Sequence, residues 1–190
     1  MSNLTPGKIV KTFTTKNGLE AVIRYPKWED LLLMHDFINT ISQEDTYVTF
    51  SGEGITREGE MYYLAEMFKG MELQDNVYLS CFINDRFVGS CSILRDMLGR
   101  RRSYHVGIYG ITIAKDFRGE GIGEELSLAT IEEAKQVIPG LTMLRLQMYD
   151  PNTVARHLYE KLGFIEYGKL PEGVWYRGTY VDEIVMYKKL

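Results

Sequence analysis

Residues 118–123 read Arg118-Gly119-Glu120-Gly121-Ile122-Gly123, between an apolar run at 109–114 and a strong helical pattern that begins at Glu124. Glycines lack a Cβ, so successive backbone N–H groups can turn toward one anion. The following helix adds its unsatisfied amides and the positive end of its dipole. Strand, glycine loop and helix in this order predict a phosphate cradle, with a pyrophosphate as the group to be held. A P-loop is excluded, because no Lys-Ser or Lys-Thr pair follows the last glycine. A dinucleotide fingerprint needs G-x-G-x-x-G, whereas here Glu124 stands in the place of the third glycine and Gly123 comes one position early. Asp150 follows the next strand-like run, 143–149, later than the roughly 20-residue spacing of a ribose-binding acid. It keeps a dinucleotide-binding enzyme open as an alternative.

Downstream, Asp150-Pro151-Asn152 punctuates the chain, and residues 153–162 read as a helix closed by Gly163 at its C′ position. Asn152 can cap that helix, and Ala155, Leu158, Tyr159 and Leu162 share one of its faces. With this second motif the sequence resembles the GNAT superfamily, the acyl-CoA-dependent N-acetyltransferases. The resemblance lies in the Arg-Gly-x-Gly-Ile-Gly loop after a hydrophobic strand, followed by Asn152, Ala155, Tyr159 and Leu162-Gly163-Phe164. It extends over residues 104–164, and the tail at 180–186 is similar to the last strand of several small members.

The resemblance implies an α/β (α+β) GNAT fold: a mixed, mostly antiparallel sheet with splayed central strands and helices on both faces. It also implies acetyl-CoA as co-substrate. Backbone amides of Gly119, Glu120, Gly121, Ile122, Gly123 and Glu124 would hold its pyrophosphate, and Arg118 would add charge. Ile111, Thr112 and Ile113 would pair through their backbone with the pantetheine arm, one amide polarising the thioester carbonyl. Asn152 would touch the cofactor while capping its helix. Tyr159 would assist the departing thiolate; a tyrosine is about 1.5 pKa units weaker as an acid than a thiol, roughly 2 kcal/mol uphill, which favours a hydrogen bond over early proton transfer. Glu120 and Glu124 place negative charge beside the pyrophosphate and should weaken binding unless both turn into solvent.

The implied activity is transfer of an acetyl group to a primary amine by direct attack, with no acyl-enzyme. The acceptor amine must lose a proton. Many relatives place a glutamate on the central strand, but this strand offers Tyr104, His105 and Tyr109 instead. His105, Glu53, Asp182, Glu183 or a water path are the candidates for the base. The missing strand glutamate also keeps open a CoA-binding regulatory module without catalysis. The acceptor itself, a small molecule or a protein amine, is not identified by the sequence, although Glu53, Glu58 and Glu60 fall near the inferred entrance.

At 190 residues and 45% hydrophobic, the chain can bury one sizeable core, and no Pro/Gly/Ser-rich linker divides it, so residues 1–190 are read as one domain. Strands are expected at 8–15 and 19–25, joined at Lys16-Asn17-Gly18, at 77–83 and 87–94, turning at Asn84-Asp85-Arg86, and at 104–114 and 143–149, with a strand pair within 168–187 turning at Arg177-Gly178. Helices are expected at 28–41, 57–69, 124–137 and 153–162. No apolar run suits a membrane span and the N-terminus has no signal-peptide profile, which makes cytoplasmic residence the expectation. Cys81 and Cys91 read as buried free thiols. The net charge of −4 and the single short basic run, Arg100-Arg101-Arg102, give no support to nucleic-acid binding. His35 and His157 form no metal set, and no metal is assigned. Met61, Tyr62, Tyr63, Met67 and Phe68, with Trp175, Tyr176 and Tyr180, could edge an acceptor site; the aromatic tail also suggests a homodimer.

Overall fold

The computed structural model describes residues 5–98 and 100–190. Among these, the order is β1 (Ile9–Thr14), β2 (Glu20–Arg24), α1 (Leu31–Gln43), α2 (Arg57–Glu72), β3 (Asn76–Ile83), β4 (Arg86–Arg95), β5 (Val106–Ile113), α3 (Ile122–Val137), β6 (Met143–Tyr149), α4 (Thr153–Lys161), β7 (Ile165–Tyr176) and β8 (Thr179–Lys189). The strands form one sheet in the order β1-β2-β3-β4-β5-β6-β8-β7. Every neighbouring pair is antiparallel except β5 with β6.

Local chemistry sets the element ends. Arg24 on β2 forms a two-bond ion pair with Asp30, both contacts at 2.7 Å, and its guanidinium lies over the Phe82 ring. Asp30 also accepts from the Lys27 N–H at 2.9 Å, so the chain enters α1 through a 3-10 turn at Trp28–Asp30. The β3–β4 hairpin turns on Asn84 and Asp85, both at positive φ, and Arg86 already belongs to β4. Arg177 and Gly178 turn the β7–β8 hairpin in the same left-handed region. Several boundaries differ from the sequence reading, and two bear on the site: Tyr104 and His105 form a turn ahead of β5, and α3 starts at Ile122, inside the glycine loop.

β3 is buried at all eight of its positions because helices cover both faces of the sheet. On one face Tyr63 of α2 meets Tyr78; on the other the Tyr109 hydroxyl bonds Ser127 of α3 at 2.6 Å. Cys81 and Cys91 are buried, free thiols, and burial pushes each up to about 12.

The predicted splay is present. β5 and β6 pair only at Val106 with Met143, Gly107 with Leu144 and Ile108 with Arg145. Beyond that, β5 continues along β4 to Ile113 and β6 continues along β8 to Tyr149, so the two strands part. Gly107 permits the tight apex: a Cβ there would stand 2.7 Å from Ile93 Cγ2 and 3.0 Å from Leu144 Cδ2.

Candidate active site

The glycine loop leads from β5 into α3. Gly119 and Gly121 both have φ of +85°, a conformation that costs other L-residues about 1–2 kcal/mol. The Arg118 N–H closes a 3-10 turn on Lys115 O, and the Glu125 N–H begins the helix ladder on Gly121 O. The amides of Gly119, Glu120, Gly121, Ile122, Gly123 and Glu124 are left without an acceptor among the described residues. Six such donors at a helix N-terminus make an anion cradle.

Neither loop glutamate stands unpaired. Glu120 accepts from the Asn17 N–H at 3.0 Å, across the β1–β2 hairpin, and Glu124 pairs with Lys161 of α4 at 2.7 Å. The same hairpin supplies a cation that sequence reading assigned to a turn: Lys16 Cε lies 3.9 Å from where a Cβ on Gly121 would sit. Arg118 is committed elsewhere. Its Nε donates to Ile113 O at 2.9 Å and its Nη2 to Glu44 at 2.7 Å, so the side chain ties the loop to the end of α1.

The backbone of β5 alternates between its neighbours. Asp96 N–H donates to Val106 O and Ala114 N–H to Val88 O, so even-numbered residues direct their polar groups to β4; Met143 N–H donates to His105 O, so odd-numbered ones direct theirs to β6. Past Ile108 the β6 side is open. Ile111 therefore presents its N–H and C=O to the gap, and Ile113 its N–H. Thr112 differs from the other two: its backbone faces Ser90 on β4, and its side chain lines a cavity.

That cavity, of about 490 Å³, has Ser90, Ser92, Gly110 and Thr112 among its sheet residues and α1, α2 and residues 47–50 around it. Tyr159 also lines it, from α4 on the α3 side of the sheet, so the cavity reaches through the gap between β5 and β6. Tyr159 is 8% exposed and stacks edge-on against Tyr109 and Phe164. Burial, then the neighbouring Cys91, raises its pKa well above the ordinary tyrosine value, with no hydrogen bond to offset it. Asn152 caps α4 through its Oδ1, which accepts from the Ala155 N–H at 3.1 Å.

The proposed bases are dispersed. His105 sits before β5, at the strand end remote from the open gap, with its carbonyl bonded by Thr142 and Met143. Glu53 is exposed and its pKa is lowered, chiefly by the backbone N–H of Ser51 and also by its hydroxyl. Asp182 is held low by Lys169 at 2.7 Å and by the Glu172 N–H. Glu183 accepts from Gln147, a cavity-lining residue, at 3.1 Å. The acid inside the cavity is Glu60, 5% exposed in the first turn of α2. Sequence reading placed it only near the entrance. The signal was present: Glu60, Leu64, Met67 and Met71 are spaced four, three and four apart and form the buried stripe of the helix.

The dinucleotide alternative is overturned by the antiparallel sheet and by Asp150, whose carboxylate is taken by Arg156 and Lys169. Among the described residues no group of three His, Cys, Asp or Glu is placed to hold a metal ion, and no helix is long and apolar enough to cross a membrane.

Known proteins match the same region. N-alpha-acetyltransferase 30 of Schizosaccharomyces pombe is 30% identical over 104 residues, 55% of this chain and 67% of that protein. The crystal structure of an acetyltransferase of the GNAT family from Streptococcus pneumoniae superposes with a TM-score of 0.80 at 29% identity, covering 90% of this chain and 99% of its own. yncA of Salmonella typhimurium, solved with its cofactor acetyl-CoA, gives a TM-score of 0.77 at 16% identity, covering 90% and 94%. The Acetyltransferase (GNAT) family model matches residues 37–164, which include the split strands, the glycine loop and Tyr159, and the chain therefore belongs to the GNAT acetyltransferase family.

Proposed function

We propose that this chain transfers the acetyl group of acetyl-CoA to a primary amine by direct attack, without a covalent acyl-enzyme. The observation that carries this reading is continuity: the amide cradle at 119–124, the open backbone of Ile111 and Ile113, and the cavity lined by Tyr159 follow one another along the β5–β6 gap. An extended pantetheine arm fits the gap as a strand would, and acetyl-CoA is the cofactor with which the Salmonella structure was solved.

The residues divide the work by chemistry. Amides 119–124 bind the pyrophosphate, with Lys16 beside them as added charge. The Ile111 N–H is aimed at the developing oxyanion. The Tyr159 hydroxyl, kept protonated by burial, donates to the leaving thiolate. The small residues Ser90, Ser92 and Gly110 leave room for the acceptor on the α1–α2 side of the sheet.

A thermal-shift panel of acetyl-CoA, NAD and ATP tests the cofactor. Saturable stabilisation by acetyl-CoA alone is expected, and a chain that responds only to NAD or ATP contradicts the reading. Release of free CoA in the presence of amines then distinguishes an enzyme from an inactive CoA-binding module.

A further inference from the structure

Glu60 is the only charged residue among the described residues lining the cavity. At 5% exposure its carboxylate has no cation within ion-pair distance among the described residues, although an unpaired buried charge costs several kcal/mol. The groups that face it are His35 on α1, Tyr63 on α2 and Tyr78 on β3. None is a permanent cation, and His35 already bonds Ile55 O through Nε2 at 3.0 Å. Desolvation raises the Glu60 pKa, opposed in part by His35, so the carboxylate is a stronger base than an exposed glutamate.

The rest of the cavity wall limits what can bring the missing cation. Phe37, Tyr47, Phe50, Tyr63, Tyr78 and Phe87 supply aromatic surface, and among the described lining residues there is no Lys or Arg to receive an anion. Residues 44–50 close one side. Arg177, on the β7–β8 turn, donates to Asp45 O at 2.7 Å, Tyr149 donates to Val48 O at 3.3 Å, and Tyr47 lies against Tyr149 and Tyr176. A volume of about 490 Å³ suits a compact ligand better than a polypeptide chain.

We infer that Glu60 binds the acceptor's ammonium group and takes its proton, and that the acceptor is a small primary amine with an apolar, preferably aromatic, body and no anionic group. This rests on the acetyl-transfer reading above. The ammonium gives one proton to the Glu60 carboxylate. The neutral amine then forms the C–N bond at the thioester carbon as the C–S bond breaks, and the second nitrogen proton neutralises the departing thiolate. The products are the N-substituted acetamide and CoA thiol, and Glu60 returns its proton to water.

The test measures CoA thiol release by the full chain with 2-phenylethylamine, L-phenylalanine and an alanine-initiated peptide amide, alongside acetyl-CoA binding. Phenylethylamine is expected to be the best acceptor. Phenylalanine should fall by about 100-fold or more in kcat/KM, because its carboxylate enters a site with no Lys or Arg among its described lining residues. Glu60→Gln should lose about 100-fold in kcat/KM for phenylethylamine and lose the acidic limb of the pH profile, with acetyl-CoA binding unchanged. Glu60→Asp should keep that limb at a reduced kcat, which separates the charge from a purely structural role. The inference is overturned if the peptide or phenylalanine is preferred, if no amine is acetylated, or if Glu60→Gln retains the wild-type rate and pH profile. In the first and last of those cases acetyl transfer itself stands and the Glu60 assignment alone falls; acetyl-CoA binding with no CoA release from any amine would leave a CoA-binding module, and the absence of acetyl-CoA binding would remove both readings.

Discussion

Tyr159 shows how one residue can be fixed by packing and still be available for chemistry. Its ring is held between Tyr109 and Phe164, while the residue also lines the cavity, with no hydrogen bond acting on its titration. Burial makes it a weaker acid than an ordinary tyrosine, so the role proposed for it is donation of a hydrogen bond to the thiolate rather than early loss of a proton. Hydrogen bonds to charged groups contribute about 1.5–3 kcal/mol, and Tyr159→Phe should therefore lower kcat by about 10- to 100-fold. The ring packing survives that change, so acetyl-CoA affinity and thermal stability should stay close to wild type. Steady-state kinetics with a separate binding titration check this; equal losses in binding and turnover would assign Tyr159 to the structure instead. The Tyr159 position was legible from the motif, whereas its titration was not, because the neighbours that desolvate it come from β5 and from beyond α4.

Among the elements, turns carry local sequence signals and neighbour-dependent features carry none. The Asn-Gly, Asn-Asp and Arg-Gly turns announce their hairpins through residues that tolerate positive φ. The parting of β5 from β6 has no signature inside either strand; only the family resemblance implied it. The same limit explains Thr112, since which side a backbone amide faces depends on the register with β4 and β6. Helical spacing puts Glu60 on the buried stripe of α2, whereas an acid in a first turn is usually a solvated dipole partner, so the sequence alone leads only to the entrance. The cover formed by residues 44–50 depends on a long-range contact, the latch from Arg177 to Asp45. Both side chains are about half exposed, so the ion pair itself contributes about 0–1 kcal/mol. Arg177→Ala should accordingly raise the acceptor KM a few-fold and speed proteolysis within 44–56, while acetyl-CoA affinity is unchanged. A fall in acetyl-CoA affinity instead would mean that the hairpin supports the cofactor side of the gap.

For the molecule as a whole, the acceptor site proposed at Glu60 conflicts with stability, and pH exposes the conflict. The central strand β3 is buried on both faces, yet Glu60 introduces an unpaired carboxylate into the α1–α2 layer. Its folded pKa is raised above the ordinary value of 4.5, so the folded state holds this proton more tightly than the unfolded state. The corresponding stability is fully present below about 4.5 and is lost as pH rises through the folded pKa. Glu60→Gln imitates the protonated form at every pH. The variant should melt above wild type at pH 7, on the scale where about 1 kcal/mol moves Tm by about 2–4 °C, and the gap should close as pH falls toward 4.5. Asp182 titrates in the opposite sense: Lys169 and the Glu172 N–H hold its pKa low, so its stabilisation is lost on acidification. Both proteins share that loss, and it cancels in the difference between their melting curves. Thermal unfolding of the pair from pH 4 to 8, without acetyl-CoA or amine, measures that difference directly. A wild type that melts at or above the variant at pH 7 would show that the Glu60 charge is already compensated inside the folded chain, leaving no deficit for an ammonium group to fill.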